Sequence, residues 1–392
     1  MPIALSILAL LLSAQPDAPP VLAAHLRRGV TLPAGDVVQP QPDRLLDGVA
    51  FRSGDKVEWL GWDRVASLEG LAPELARQVA PVAEKAWLAR VRLERSDALA
   101  AEPLYEELFR AFEGRRGATA CAVAEGLLRC RLRRGAQAGA IAPWLAWVRA
   151  SDPSMPVPAL DITSPPNQPP LIDPGTGLCP FLPPVWLNVA SVQAFARADA
   201  IVGDDAGGKR GLALAALYRL AARLEAGLAS ESEANALPVR STDPGVSLVA
   251  QIVAARGADA DKRRDARQLL LARLKQRMPA WEEAWVRVGV GRSLLREQDV
   301  EERLIGLAHL LHVPARLRAS QPYLAGVALG DAALAEAALG NTSAAQRLKR
   351  DIMEGLPGHP ALDMEALAAI GLSPRGKAQL TPAPPGAGKE TR

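Results

Sequence analysis

The sequence predicts a mainly α-helical chain with a small β-hairpin unit ahead of the helices. Three observations carry this. Leu and Ala dominate an apolar fraction of 49%, while aromatic residues make up only 4%, and both favoured residues lose little side-chain entropy in a helix. From Pro73 onward apolar residues recur at helical spacing, as in Val79, Val82, Ala83, Ala86, Trp87 and Val91. Before that point Val49 and Phe51, then Val57 and Trp59, alternate with polar neighbours at a period of two.

The chain opens MPIALSILALLLSAQPDAPP. The apolar run 3–12 is too short for a bilayer span, which needs about 20 residues. It fits the central part of a secretory signal, with cleavage after Ala14, so residues 1–14 are read as a signal peptide. The expected address is periplasmic or secreted, and no membrane-spanning segment is expected in the mature chain. Residues 15–43, rich in Pro, Asp and Gln, are expected to be a linker. Residues 44–70 form the small β unit. Ser53-Gly54-Asp55 supplies the hairpin turn, and 64–68 is a candidate third strand. So few strands are marginal alone in water, so the unit must pack on the helices that follow.

The first helical region spans 71–151. Pro73 suits a first helical turn, whereas Pro81 is expected to start a new helix or kink this one. Ser96-Asp97 is an N-capping pair for a second helix over 98–112. A third helix covers 118–134 and a short fourth 143–150. Residues 152–184 hold eleven prolines, so no regular helix is expected there, and the stretch reads as an extended connector. Cys179, Phe181, Leu182 and Trp186 near its end point to docking on the second helical region, 185–371. Segments there fall near 186–201, 207–230, 245–256, 260–277, 279–297, 299–312, 320–339, 342–355 and 361–370. Asp243-Pro244 and Asn341 are start signals, and Gly340 and Gly371 stops. The tail 372–392, polar and rich in Pro and Gly, is expected to be disordered.

Small residues recur where paired helices would cross. Leu88-Ala89 is followed by Ala101, Tyr105 and Leu108. Ala333 is followed by Gly340, Ala345, Ile352 and Pro357, with Lys349 at a place that asks for a large apolar residue. Trp285, Val288, Gly289, Ile305 and Ala308 fit in part, with Glu301 where a small residue belongs and Pro314 one place late. This pattern resembles the tetratricopeptide repeat of about 34 residues. The resemblance implies a helix-hairpin repeat array, an α-solenoid, whose groove binds a protein or peptide. The alternative arrangement is an irregular α-helical bundle.

Charge and motifs narrow the chemistry. The net charge is +3, from 46 basic and 43 acidic residues. That balance speaks against a nucleic-acid partner, and Arg129, Arg131, Arg133 and Arg134 and the run 262–264 read as solvated helix faces. The three cysteines, Cys121, Cys130 and Cys179, include no CxxC pair. Cys121 and Cys130 point to opposite helix faces, which leaves burial, or a bridge from either to Cys179. His309 and His312 share a helix face but lack further ligands, so no metal site is assigned. GDDAGGK, 203–209, places two Asp where phosphate charge would go and has no Ser or Thr after the Lys, so no nucleotide or other cofactor is assigned. The pairs Glu282-Glu283 and Glu301-Glu302 are sequence neighbours and do not converge, so no catalytic residue is assigned. The eight Trp residues read as core more often than as ligand platforms. The expected function is a non-catalytic scaffold for a protein or peptide. Its rivals are a helical lyase or hydrolase acting on envelope polymers, with carboxylates or His beside Tyr105, Tyr218 or Tyr323, and a structural envelope protein without a specific ligand.

Overall fold

The computed structural model describes residues 23–27, 31–32, 36–38, 41–151, 169–198, 208–230, 233 and 241–371. The signal segment, much of the linker, residues 152–168 and the tail lie outside the described residues.

Among the described residues the N-terminal unit holds five short strands: β1 Ala23–Leu26, β2 Thr31–Leu32, β3 Val49–Ser53, β4 Lys56–Leu60 and β5 Val65–Glu69. A 3-10 helix, Pro42–Asp47, precedes β3. The hairpin forms as the turn chemistry demands: β3 and β4 pair antiparallel from Val49↔Leu60 to Ser53↔Lys56. Gly54 closes the turn at φ 61, a left-handed conformation that favours glycine. Two expectations are corrected. β5 does not extend the hairpin but pairs antiparallel with β1, giving the order β2-β1-β5. β1 comes from the stretch expected to be a linker, and its AAHL run is too short to show an alternation.

The β unit is stabilised by packing on the first helix, Pro73–Glu94. Val49, Leu60, Trp62, Val65 and Leu68 share a core with Val79 and Ala83. Trp62 Nε1 donates to the Leu45 carbonyl at 2.8 Å, and Arg90 meets Asp63 at 2.8 Å in full burial. Burial raises the Asp63 carboxyl above its ordinary pKa, and the Arg90 guanidinium offsets this only in part.

Helices then follow at Ala98–Ala111, Ala118–Arg133, Gln137–Ala150, Ala190–Arg197, Gly208–Glu225, Pro244–Ala254, Ala260–Leu274, Ala280–Leu294, Val300–Arg316, Pro322–Ala338, Thr342–Gly355 and Glu365–Ala368. Asp97, Asp243, Asp259 and Asp299 each accept a backbone N–H at a helix start. Asn341 marks a start but its side-chain oxygen makes no cap, while its amide nitrogen donates to Glu336 at 2.7 Å. Pro81 starts no new helix; it lies on the exposed side of one continuous helix whose other side buries Val79, Ala83, Ala86, Ala89 and Leu93. Pro143 sits inside its helix, which begins at Gln137, and Pro314 sits inside Val300–Arg316. In place of one helix over 361–370 there is a 3-10 turn, Pro360–Asp363, and a single short turn of helix.

Consecutive helices pack in series. Ala280–Leu294 also touches Pro244–Ala254 and Pro322–Ala338 directly, so these three form an inner row. Small residues allow the close crossing to the outer helix Val300–Arg316. A Cβ on Gly291 would lie 2.7 Å from Leu310 and 3.0 Å from the Gly306 carbonyl. One apolar core runs from Leu128 to Ile370 without a break.

Candidate functional site

The inner row faces the end of the Pro-rich connector. Residues 171–189 carry no helix or strand, yet Leu178, Cys179, Leu182 and Trp186 are buried in the shared core. This strap contacts both helical regions: the same core holds Leu128, Ile141 and Trp144 from the first and Leu214, Val249 and Trp285 from the second. The apolar end of the connector predicts docking on the second region; it docks there, and the first region takes part as well. An extended chain in an apolar setting leaves its carbonyls without partners, and such groups must be satisfied. Side chains of the helices do this. Trp285 Nε1 donates to the Pro180 carbonyl at 3.2 Å, Tyr323 Oη to Val185 at 3.1 Å and Arg292 Nη1 to Trp186 at 2.8 Å. Tyr218 Oη donates to the Leu182 carbonyl and Arg210 to that of Thr176. The inner row thus has the chemistry of a peptide-binding face, and its occupant is the chain itself.

Arg292 is the centre of this arrangement. Its guanidinium also reaches Asp331 at 2.6 and 3.2 Å and Glu225 at 3.3 Å, while Arg256 meets Glu225 at 3.3 Å. Burial alone would raise the Glu225 carboxyl, but Arg292 and Arg256 more than offset it and hold the pKa below the ordinary value. Burial would likewise lower the Arg292 pKa, and Asp331 and Glu225 turn that into a rise. The adjoining cavity, lined by Pro184, Glu225, Arg256 and Arg292, measures about 20 Å³, room for roughly one water. No local pattern in the sequence marks this network, because its members lie far apart along the chain.

The three tyrosines of the enzyme reading are part of the packing. Tyr105 and Tyr218 are buried, and burial pushes both phenols, and that of Tyr323, well above their ordinary pKa. His312 meets Glu283 at 3.2 Å, and Glu283 also accepts from Arg287 at 2.7 Å. A guanidinium at that carboxylate disfavours a second cation. Burial and Arg287 lower the pKa of both His309 and His312. All three cysteines are free and buried, which answers the alternative of a bridge to Cys179. Burial pushes each thiol up to about 12, far from the reactive thiolate range. Residues 203–207 of the GDDAGGK stretch lie outside the described residues.

Among the described residues an uncovered concavity lies on the β unit. The hairpin register puts Val57 opposite Arg52 and Trp59 opposite Ala50, so these four share one face. Val49, Phe51 and Leu60 lie on the other, core-facing side. The outward face, with Val38, Gln41, Arg44 and Gly48, lines a cavity of about 180 Å³. The Arg44 guanidinium lies 5.1 Å from the centre of the Trp59 ring and bonds Asp47 at 3.3 Å. Val57 is 45% exposed. Among the described residues β4 pairs only with β3, so its other edge carries unpaired ladder groups. Sequence reasoning reads Trp59, like the other Trp residues, as core more often than as a ligand platform, because alternation shows that faces exist but not which one is buried.

No protein-family model, no curated protein and no solved structure matches this chain.

Proposed function

We propose that the protein is a non-catalytic, exported helical-repeat scaffold of tetratricopeptide-like design. It binds an extended protein or peptide segment at the outward face of its β unit. The observation that carries this reading is a contrast between two faces. The inner row is filled by the strap, whereas among the described residues the Trp59 cavity is uncovered and the strand edge beside it is unpaired. A free edge offers main-chain hydrogen bonds to an added strand, and the neighbouring apolar cavity selects a side chain. The repeat design is supported by Ala89, Ala101 and Tyr105, buried together at the first helix pair, and by Ala333, Ala345 and Ile352 at the last. Lys349 departs from the repeat pattern for a local reason. Its ammonium caps the carbonyls of Ala368 at 3.0 Å and Ile370 at 2.7 Å. Ile305 is 48% exposed and Ala308 faces solvent, so the second helix of the third stretch follows the pattern least. The exported address rests on the apolar run 3–12.

The test is a selection of displayed peptides against the intact protein, followed by affinity measurement on Trp59→Ala. Loss of the ring is expected to weaken binding about tenfold or more, the equivalent of about 1.4 kcal/mol. Selected peptides that bind Trp59→Ala and Val57→Asp as tightly as the parent would place the binding surface elsewhere.

A further inference from the structure

The outer helix Val300–Arg316 carries an apolar stripe that no described residue covers. Its inner side buries Gly306, Leu307, Leu310 and Val313. On the adjoining side Val300 is 53% and Leu304 52% exposed, Ala308 and Ala315 face solvent, and Leu311 is half-buried. At about 100° per residue these five fall in one line along the helix. An exposed line of this kind marks an interaction surface rather than scattered surface residues.

The charges say which partner fits. Glu301 lies at one end of the stripe and Arg316 at the other, on the same flank and both exposed. Neither side chain has an ion-pair partner among the described residues. Two copies of this helix, antiparallel about a twofold axis at Ala308, bring opposite charges together at each end of that shared flank. Glu301 then meets the partner's Arg316, Val300 meets the partner's Ala315, and Leu304 meets the partner's Leu311. The small Ala308 sits on the axis, where the two backbones must come closest. An isologous contact needs this self-complementarity, residue i against j and j against i. A parallel pairing would leave Glu301 and the partner's Arg316 at opposite ends of the contact, so no opposite charges would meet.

We infer that the protein is a homodimer, joined through the outward face of the helix Val300–Arg316 in an antiparallel register centred on Ala308. The surface is separate from the Trp59 cavity, so dimerisation does not depend on the peptide-binding reading.

Sedimentation equilibrium of the full chain, over a range of concentrations, gives twice the mass of one chain. Leu304→Asp raises the dimer dissociation constant by at least about thirtyfold, as for a central contact residue. Leu212→Asp, at an apolar residue 49% exposed on another helix, leaves the dimer intact. Glu301→Arg and Arg316→Glu each weaken the dimer, and the two together restore it to within a few-fold of the parent. Because the substituted side chains are exposed, far-ultraviolet circular dichroism stays unchanged and separates dissociation from unfolding. A monomer at every concentration overturns the inference. So does a dimer indifferent to Leu304→Asp, or a double charge reversal no better than the single ones.

Discussion

Replacing Arg292 by Met is expected to destabilise the fold by about 3–5 kcal/mol, read as a lower urea midpoint. Arg292 is 6% exposed and is tied to Asp331, Glu225 and the Trp186 carbonyl. Removing the guanidinium leaves Asp331 as a mostly buried charge without its main partner, and the strap with an unpaired carbonyl. Glu225 keeps Arg256, so the loss concentrates on Asp331 and on the strap. Lys is a poor substitute, since an ammonium is a point donor that cannot fork across three acceptors. The same physics predicts a rescue. Replacing Arg292 by Met and Asp331 by Leu together removes the orphaned charge and restores a large part of the stability, because a buried pair exchanged for apolar groups is often near neutral. A double variant as unstable as the single one would show that the charge pair is not the source of the loss.

Trp186→Ala is expected to cost a similar amount, about 3–5 kcal/mol, through a cavity at the centre of the strap. The indole is 2% exposed, lies 5.5 Å from the Phe195 ring and 6.3 Å from Tyr218, and donates to the Tyr218 carbonyl at 3.2 Å. No other residue of the strap combines so large a buried side chain with a carbonyl held by Arg292. Losing it should loosen the strap before the helices. Limited chymotrypsin digestion is expected to cut the variant near Phe181, at a protease concentration that leaves the parent chain whole. Equal resistance in both would mean that the strap is held by its neighbours without help from Trp186.

Much of the helical order is legible in the sequence because helix starts are local chemistry. Asp97 and Asp243 announce their helices, Gly340 ends one at φ 82, and the hairpin turn is written in Ser53-Gly54-Asp55. What cannot be read depends on residues distant in sequence. Pro81, Pro143 and Pro314 look like breaks, yet each helix gains more from its buried face than the proline takes from its hydrogen bonding. β5 finds β1 rather than the hairpin next to it, a choice made by packing. The strap shows the limit most clearly. Its prolines predict irregular chain, which is observed, and its apolar end predicts docking. That it runs along the inner row, with its carbonyls taken by Trp285, Tyr323 and Arg292, follows from nothing within reach of it along the chain.

The strap is a fixed part of the core, shared by both helical regions, and this can be tested by cutting the chain beside it. A protease recognition sequence is inserted after Leu160 and cleaved in the folded full chain, with cleavage followed on a denaturing gel. The expected result is that both fragments elute together at the parent's size and unfold in one transition, because 171–189 remains seated between them. Fragments that separate on cutting, each keeping its helical signal, would contradict it.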